Sequence, residues 1–152
     1  MKIGQKLENI DFAIDEQTTL SQKDLIGKKV IIYFYPKDDT PGCTSEAINF
    51  SALKKKFEKL NVFIIGISKD TLKKHKKFKE KHNLKIELAS DEDGKICEKF
   101  GVWVEKSMYG KKYMGIERST FLFNENLELI SAWNKVKVKG HVEDIYSFVN
   151  SI

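Results

Sequence analysis

Residues 30–50 read VIIYFYPKDDTPGCTSEAINF, and this stretch decides the architecture. Val30 to Tyr35 mix β-branched and aromatic side chains with no polar alternation. Such a run fits a strand covered on both faces. Pro36 ends it. From Cys43 the period changes. Ala47, Phe50, Leu53, Phe57 and Leu60 recur at three- and four-residue steps around a run of lysines, which predicts an amphipathic helix. Thr40 suits its N-cap, and Pro41 its first helical position. A buried strand, a polar loop and a helix therefore set one of only two cysteines at a hinge.

Working outward, residues 62–67, VFIIGI, read as a second buried strand, and the lysine-rich TLKKHKKFKEKHNL as a surface helix. KIELAS predicts a short strand, and DEDGKICEKFG a capped short helix ending at Gly101. STFLFNENLELISAW predicts two strands around a turn at Asn124–Asn126. The tail from His141 predicts a closing helix with Val142, Ile145, Phe148 and Val149 on one face. Between Trp103 and Glu117 no period emerges, and the segment reads as a loop over a functional face. Alternating strands and helices with a late hairpin predict an α/β fold, a central mixed β-sheet flanked by helices.

The chain of 152 residues, 41% hydrophobic and 32% charged, predicts one domain spanning residues 1–152. No apolar run approaches the roughly 20 residues of a membrane span. The opening MKIGQKLENIDF lacks the apolar core of a secretory signal, which predicts a cytoplasmic location. Two distant cysteines fit a reducing compartment rather than a disulfide framework. The net charge of +5 invites a nucleic-acid reading. No aromatic-interleaved basic stripe accompanies it, so a soluble lysine-rich surface is expected, with no nucleic-acid or membrane partner.

Thiolate, not thiol, is the nucleophilic form of cysteine, and the amide groups at a helix N-terminus favour an anion. Cys43 occupies such a position. The competing reading is a small buried hydrophobe, and position alone does not separate the two. The neighbours favour chemistry. Thr40 can offer its hydroxyl to a substrate oxygen. Pro36 and Pro41 shape the loop and remove two backbone donors. Glu46, one turn on, can hold an arginine. Asp38 and Asp39 are expected to face water, because as inward anions they would oppose a thiolate.

PKDDTPGCTSE matches P-x-x-x-T-x-x-C, the active-site pattern of peroxiredoxins. With VIIYFYPKDDTPGCT, VFIIGIS, LASDEDGKICEKFGVW and GIERSTFLF, the chain resembles the bacterioferritin comigratory protein, or PrxQ, subfamily from about residue 2 to the last helix. The resemblance implies a thioredoxin-like fold of the AhpC/TSA type with Cys43 as the peroxidatic cysteine. Pro36, Thr40 and Glu46 match further motif positions, and Arg118 matches an arginine reaching the site from a later strand. It implies a hydroperoxide substrate, and thioredoxin, glutaredoxin or a low-molecular-weight thiol as reductant. It also implies no cofactor or metal, and a monomer or weak homodimer.

The pattern departs at the second thiol. Ile48 and Lys79 stand where relatives carry a resolving cysteine. Cys97 is the one internal candidate, and core packing is its favoured reading. The expected mode is therefore one-cysteine, with an external thiol completing the cycle. His75 and His82, seven apart, lack zinc-type spacing and are assigned to a solvated face, and His141 to a helix terminus. Met108, Tyr109, Tyr113 and Met114 could line an apolar wall for bulky hydroperoxides or pack a loop down.

Overall fold

A computed structural model describes residues 1–152. Two short strands, β1 (Phe12–Ala13) and β2 (Thr19–Leu20), and a helical turn, α1 (Gln22–Leu25), precede β3 (Lys29–Phe34). Then follow α2 (Pro41–Lys59), β4 (Val62–Ser68), α3 (Leu72–His82), β5 (Glu87–Ser90) and α4 (Lys95–Lys99). The chain ends with β6 (Trp103–Met108), β7 (Lys111–Ile116), β8 (Ser119–Phe123), β9 (Leu129–Trp133) and α5 (His141–Ser151). Seven strands form one sheet in the order β2-β1-β5-β4-β3-β8-β9. β3 runs parallel to β4 and antiparallel to β8, so the sheet is mixed, as expected.

The run Val30–Tyr35 is buried throughout because it supplies both faces of the sheet. Val30, Ile32 and Phe34 enter one core with Phe100, Phe121 and Cys97. Ile31, Tyr33 and Tyr35 enter the other with Cys43, Phe50, Phe57, Phe78 and the apolar face of α5. The period-2 alternation of a strand thus divides the core into two compartments. α2 packs its apolar stripe onto the second. Val142, Ile145 and Val149 of α5 are buried there, whereas Phe148 sits at the rim, edge-on to Trp133.

One expectation needed correction. Residues 103–116 are not a loop: β6 and β7 pair from Trp103↔Ile116 to Met108↔Lys111 as a separate two-stranded ribbon. Tyr109 and Gly110 make its turn with φ of 52° and 79°, the left-handed pair that matches the twist of a hairpin. Most of the ribbon is open to solvent on both faces, so no hydrophobic alternation marked it. Met108, Tyr109, Tyr113 and Met114 are exposed on it rather than packed down. The short β1–α1 segment carried no periodic signal either.

Gly66 of β4 pairs with Tyr33, and a Cβ placed there would lie 2.6 Å from the tyrosine ring. Tyr33 is fully buried and has no room to retreat. Gly66→Ala is expected to destabilise the fold by about 1–3 kcal/mol through overpacking, read as a lower urea midpoint with an unchanged m-value.

Candidate active site

Pro36 closes β3 because it has no amide for a further ladder bond. The chain turns outward and re-enters as α2, with Thr40 as N-cap in extended geometry and Pro41 in the first turn. Cys43 follows in that same turn, and only 2% of its surface is exposed. Arg118 comes from the two-residue link between β7 and β8. Its Nη2 donates to Cys43 Sγ at 3.2 Å, and its Nη1 to Glu46 Oε1 at 2.6 Å. The Val136 amide donates to the Arg118 carbonyl at 2.9 Å, tying down the backbone behind the guanidinium. Gly42 leaves the guanidinium its space, since a Cβ there would stand 3.3 Å from Nη2.

In this trio a guanidinium lies between a buried carboxyl and a buried sulfur. Glu46 is fully buried, its Oε2 lacks a hydrogen-bond partner, and burial raises its carboxyl to about 7 against the pull of Arg118. Burial alone would weaken the charge on Arg118, but Glu46 and Cys43 outweigh it and raise its pKa. The guanidinium is therefore a fixed cation in contact with the sulfur. Thr40 behaves differently from expectation. Its hydroxyl makes no cap bond and donates instead to the Lys37 carbonyl at 2.9 Å. Its oxygen lone pairs, not its proton, remain available.

Cys97 stands apart from these groups. It lies in the core on the far side of the sheet, wholly buried in α4, with its amide donating to Asp91 Oδ2 at 2.8 Å. Burial and the Asp91 carboxylate push its thiol far up. Asp38 does not face water but is buried, and so are His75 and His141. His141 Nε2 lies 2.8 Å from Thr120 Oγ1, so the residue at the start of α5 is a packed partner of β8. Sequence reasoning also missed Lys106. This half-buried residue of β6 has its pKa lowered by burial and by Arg118, and its stem lies beside Gly115. No local signal marked it, because it reaches the site only through the β6–β7 pairing.

A model of the AhpC/TSA family matches residues 3–132 of this sequence. The chain belongs to the AhpC/TSA family. Within it, the chain is 50% identical to a putative peroxiredoxin bcp from Coxiella burnetii over 145 residues, 95% of this chain and 96% of that one. It is 49% identical to peroxiredoxin Bcp from Bacillus subtilis over 144 residues, 95% and 92% of the two chains. A cysteine-to-serine variant of PrxQ from Xylella fastidiosa superposes with a TM-score of 0.93 at 36% identity, over 99% of this chain and 96% of that one. Bacterioferritin comigratory protein from Xanthomonas campestris, a structure described in terms of alkyl peroxide reduction, gives a TM-score of 0.88 at 39% identity, over 93% and 90%. The family and its Bcp/PrxQ branch agree with the resemblance carried by the cysteine motif and its flanks, and the thioredoxin-like architecture agrees with them. No helix is long and apolar enough to cross a membrane.

The buried carboxyl gives this trio a testable pH signature. Glu46 titrates near its ordinary value of 4.5 in the unfolded chain and near about 7 in the fold, so the native state holds the proton more tightly. Its contribution to stability is then fully present below the unfolded value and is lost as pH rises through the folded one. Wild type is expected to lose stability relative to Glu46→Gln across that window, by a few kcal/mol at most, in urea titrations at a series of pH values.

Proposed function

We propose that this chain is a thiol peroxidase whose nucleophile is the Cys43 thiolate. The contact of Arg118 with both Cys43 and Glu46, at 3.2 and 2.6 Å, carries the reading. A desolvated cation against a sulfur favours its anionic form, and the same cation faces the charge that develops as a peroxide bond breaks. The sulfur attacks the terminal oxygen of a hydroperoxide. An S–O bond forms, the O–O bond breaks, and the electron pair leaves on the departing oxygen, which takes a proton from solvent as water or alcohol. Cys43 is left as a sulfenic acid. Arg118 stabilises the leaving oxygen. Thr40, with its own proton committed to the Lys37 carbonyl, accepts the hydrogen of the attacked O–H and so orients the peroxide. Pro36 and Pro41 hold the loop that presents Thr40, and Glu46 keeps the guanidinium aimed.

The second half uses an external thiol. It condenses with the sulfenic acid, releases water and leaves a mixed disulfide, which a further thiolate opens by exchange. Thioredoxin is the proposed reductant, with glutaredoxin or a small thiol as alternatives. The burial of Cys97 on the opposite face of the sheet supports this one-cysteine mode. A disulfide needs Cα atoms within about 7 Å, and the sheet itself stands between the two cysteines.

Cys43→Ser is expected to abolish peroxide consumption in a coupled assay with thioredoxin and its reductase, and turnover persisting in that variant would overturn the reading. Arg118→Lys, which keeps a charge but loses the fork, is expected to slow the peroxide step about 100-fold or more. Intact mass after one equivalent of peroxide is expected to show one added oxygen, or an adduct with added thiol, identically in wild type and Cys97→Ser. An internal disulfide lost in Cys97→Ser would instead assign Cys97 as resolver.

A further inference from the structure

The reaction above leaves two histidines of α3 unused, yet both reach the loop that presents Thr40. Residues 75 and 82 are two helical turns apart and share a face. The consecutive carboxylates of the loop, Asp38 and Asp39, divide between them. Asp38 points inward. Its Oδ2 lies 2.6 Å from His75 Nδ1, and its Oδ1 accepts the Tyr35 hydroxyl at 2.5 Å. The other ring nitrogen, His75 Nε2, lies 3.0 Å from the Ala89 carbonyl of β5, so the imidazole bridges the loop and the sheet. The Asp38 amide donates to Asp70 Oδ2 at 2.8 Å, and Asp70 Oδ2 also accepts the Ser68 hydroxyl at 2.7 Å.

Asp39 points outward. Its Oδ1 lies 2.8 Å from His82 Nε2, and its Oδ2 accepts from Lys81 Nζ at 2.6 Å. Those two partners hold its carboxyl below the ordinary range. Asp39 also sits at φ 60°, a left-handed conformation uncommon outside glycine. A buried pair on one side and a surface pair on the other thus clamp two adjacent residues of opposite orientation. The Lys37 carbonyl that orients the Thr40 hydroxyl and the turn that delivers Cys43 lie on either side of the clamp.

We propose that His75 and His82 are positioning residues for peroxide reduction, acting through Asp38 and Asp39 to hold Thr40 in register with Cys43 and Arg118. The inference rests on the peroxidase reading. α3 is then one jaw of the active site, although none of its side chains hydrogen-bonds the sulfur. The clamp sets substrate orientation, a property that a reaction needing no oriented partner does not feel. Alkylation of Cys43 by iodoacetamide is such a reaction.

His75→Leu is expected to lower the second-order rate constant with hydrogen peroxide about 10- to 100-fold, the scale of a misplacement of about 1 Å, while the iodoacetamide rate holds or rises. His75→Asn keeps a polar amide in the place of Nδ1, beside Asp38 Oδ2, and is expected to recover most of the peroxide rate. Amide exchange across residues 37–44 rises in His75→Leu. Should that variant fail to fold, His82→Ala and Asp39→Asn apply the same test from the solvent side, with a smaller loss and the same exchange signature. Folded variants with wild-type peroxide rates and wild-type exchange overturn the proposal. So does a parallel fall in peroxide and iodoacetamide rates, which marks general damage. If the wild type itself leaves peroxide intact, the Cys43 reading fails, and exchange alone then decides whether the histidines clamp the loop.

Discussion

A guanidinium set between a buried carboxylate and a buried sulfur is the constraint around which this molecule is arranged. Arg118 is the one cation in bonding contact with either Glu46 or Cys43. Glu46 has no exposed surface, and removing the partner of such a charge typically costs several kcal/mol. The core can hold that carboxylate only if the β7–β8 link delivers its arginine to the first turns of α2. Fold and chemistry therefore share one interaction. The cation that makes a buried Glu46 tolerable is the same one that donates to Cys43 Sγ.

The two-sided burial of β3 explains why the cysteines lead separate lives. Alternate residues of Val30–Tyr35 feed opposite cores, and each cysteine joins a different one. Cys43 shares its compartment with polar atoms, including the Arg118 fork and the partly unpartnered Glu46. Cys97 is set among Phe34, Phe100 and Phe121 near an acidic cap, where the thiol stays protonated. Identical side chains thus meet opposite surroundings, set by which face of the sheet each one joins.

Legibility in the sequence followed periodicity. β3, α2, β4 and α5 announced themselves because each buries a continuous run or a regular stripe. The β6–β7 ribbon did not, because most of it is exposed and its turn uses Tyr109 where an Asn-Gly pair would have been readable. Asp38 and His75 were misassigned for a related reason. A charged residue in a polar loop and a histidine among six lysines look solvated one at a time. They become buried only as each other's partner across 37 residues.

The order of residues alone determined the strand–loop–helix hinge, the cysteine at its N-terminus, the family motif and the apolar faces that build two cores. These rest on local propensity and on periods of two and 3.6 residues, which a linear string displays. Only the folded chain decided that Arg118 touches Cys43, that Thr40 turns its hydroxyl to its own loop, and that two histidines of α3 seize consecutive aspartates. Each of those facts depends on distance between segments far apart in the chain. Such distances are set by how the sheet packs, which no stretch of sequence carries by itself.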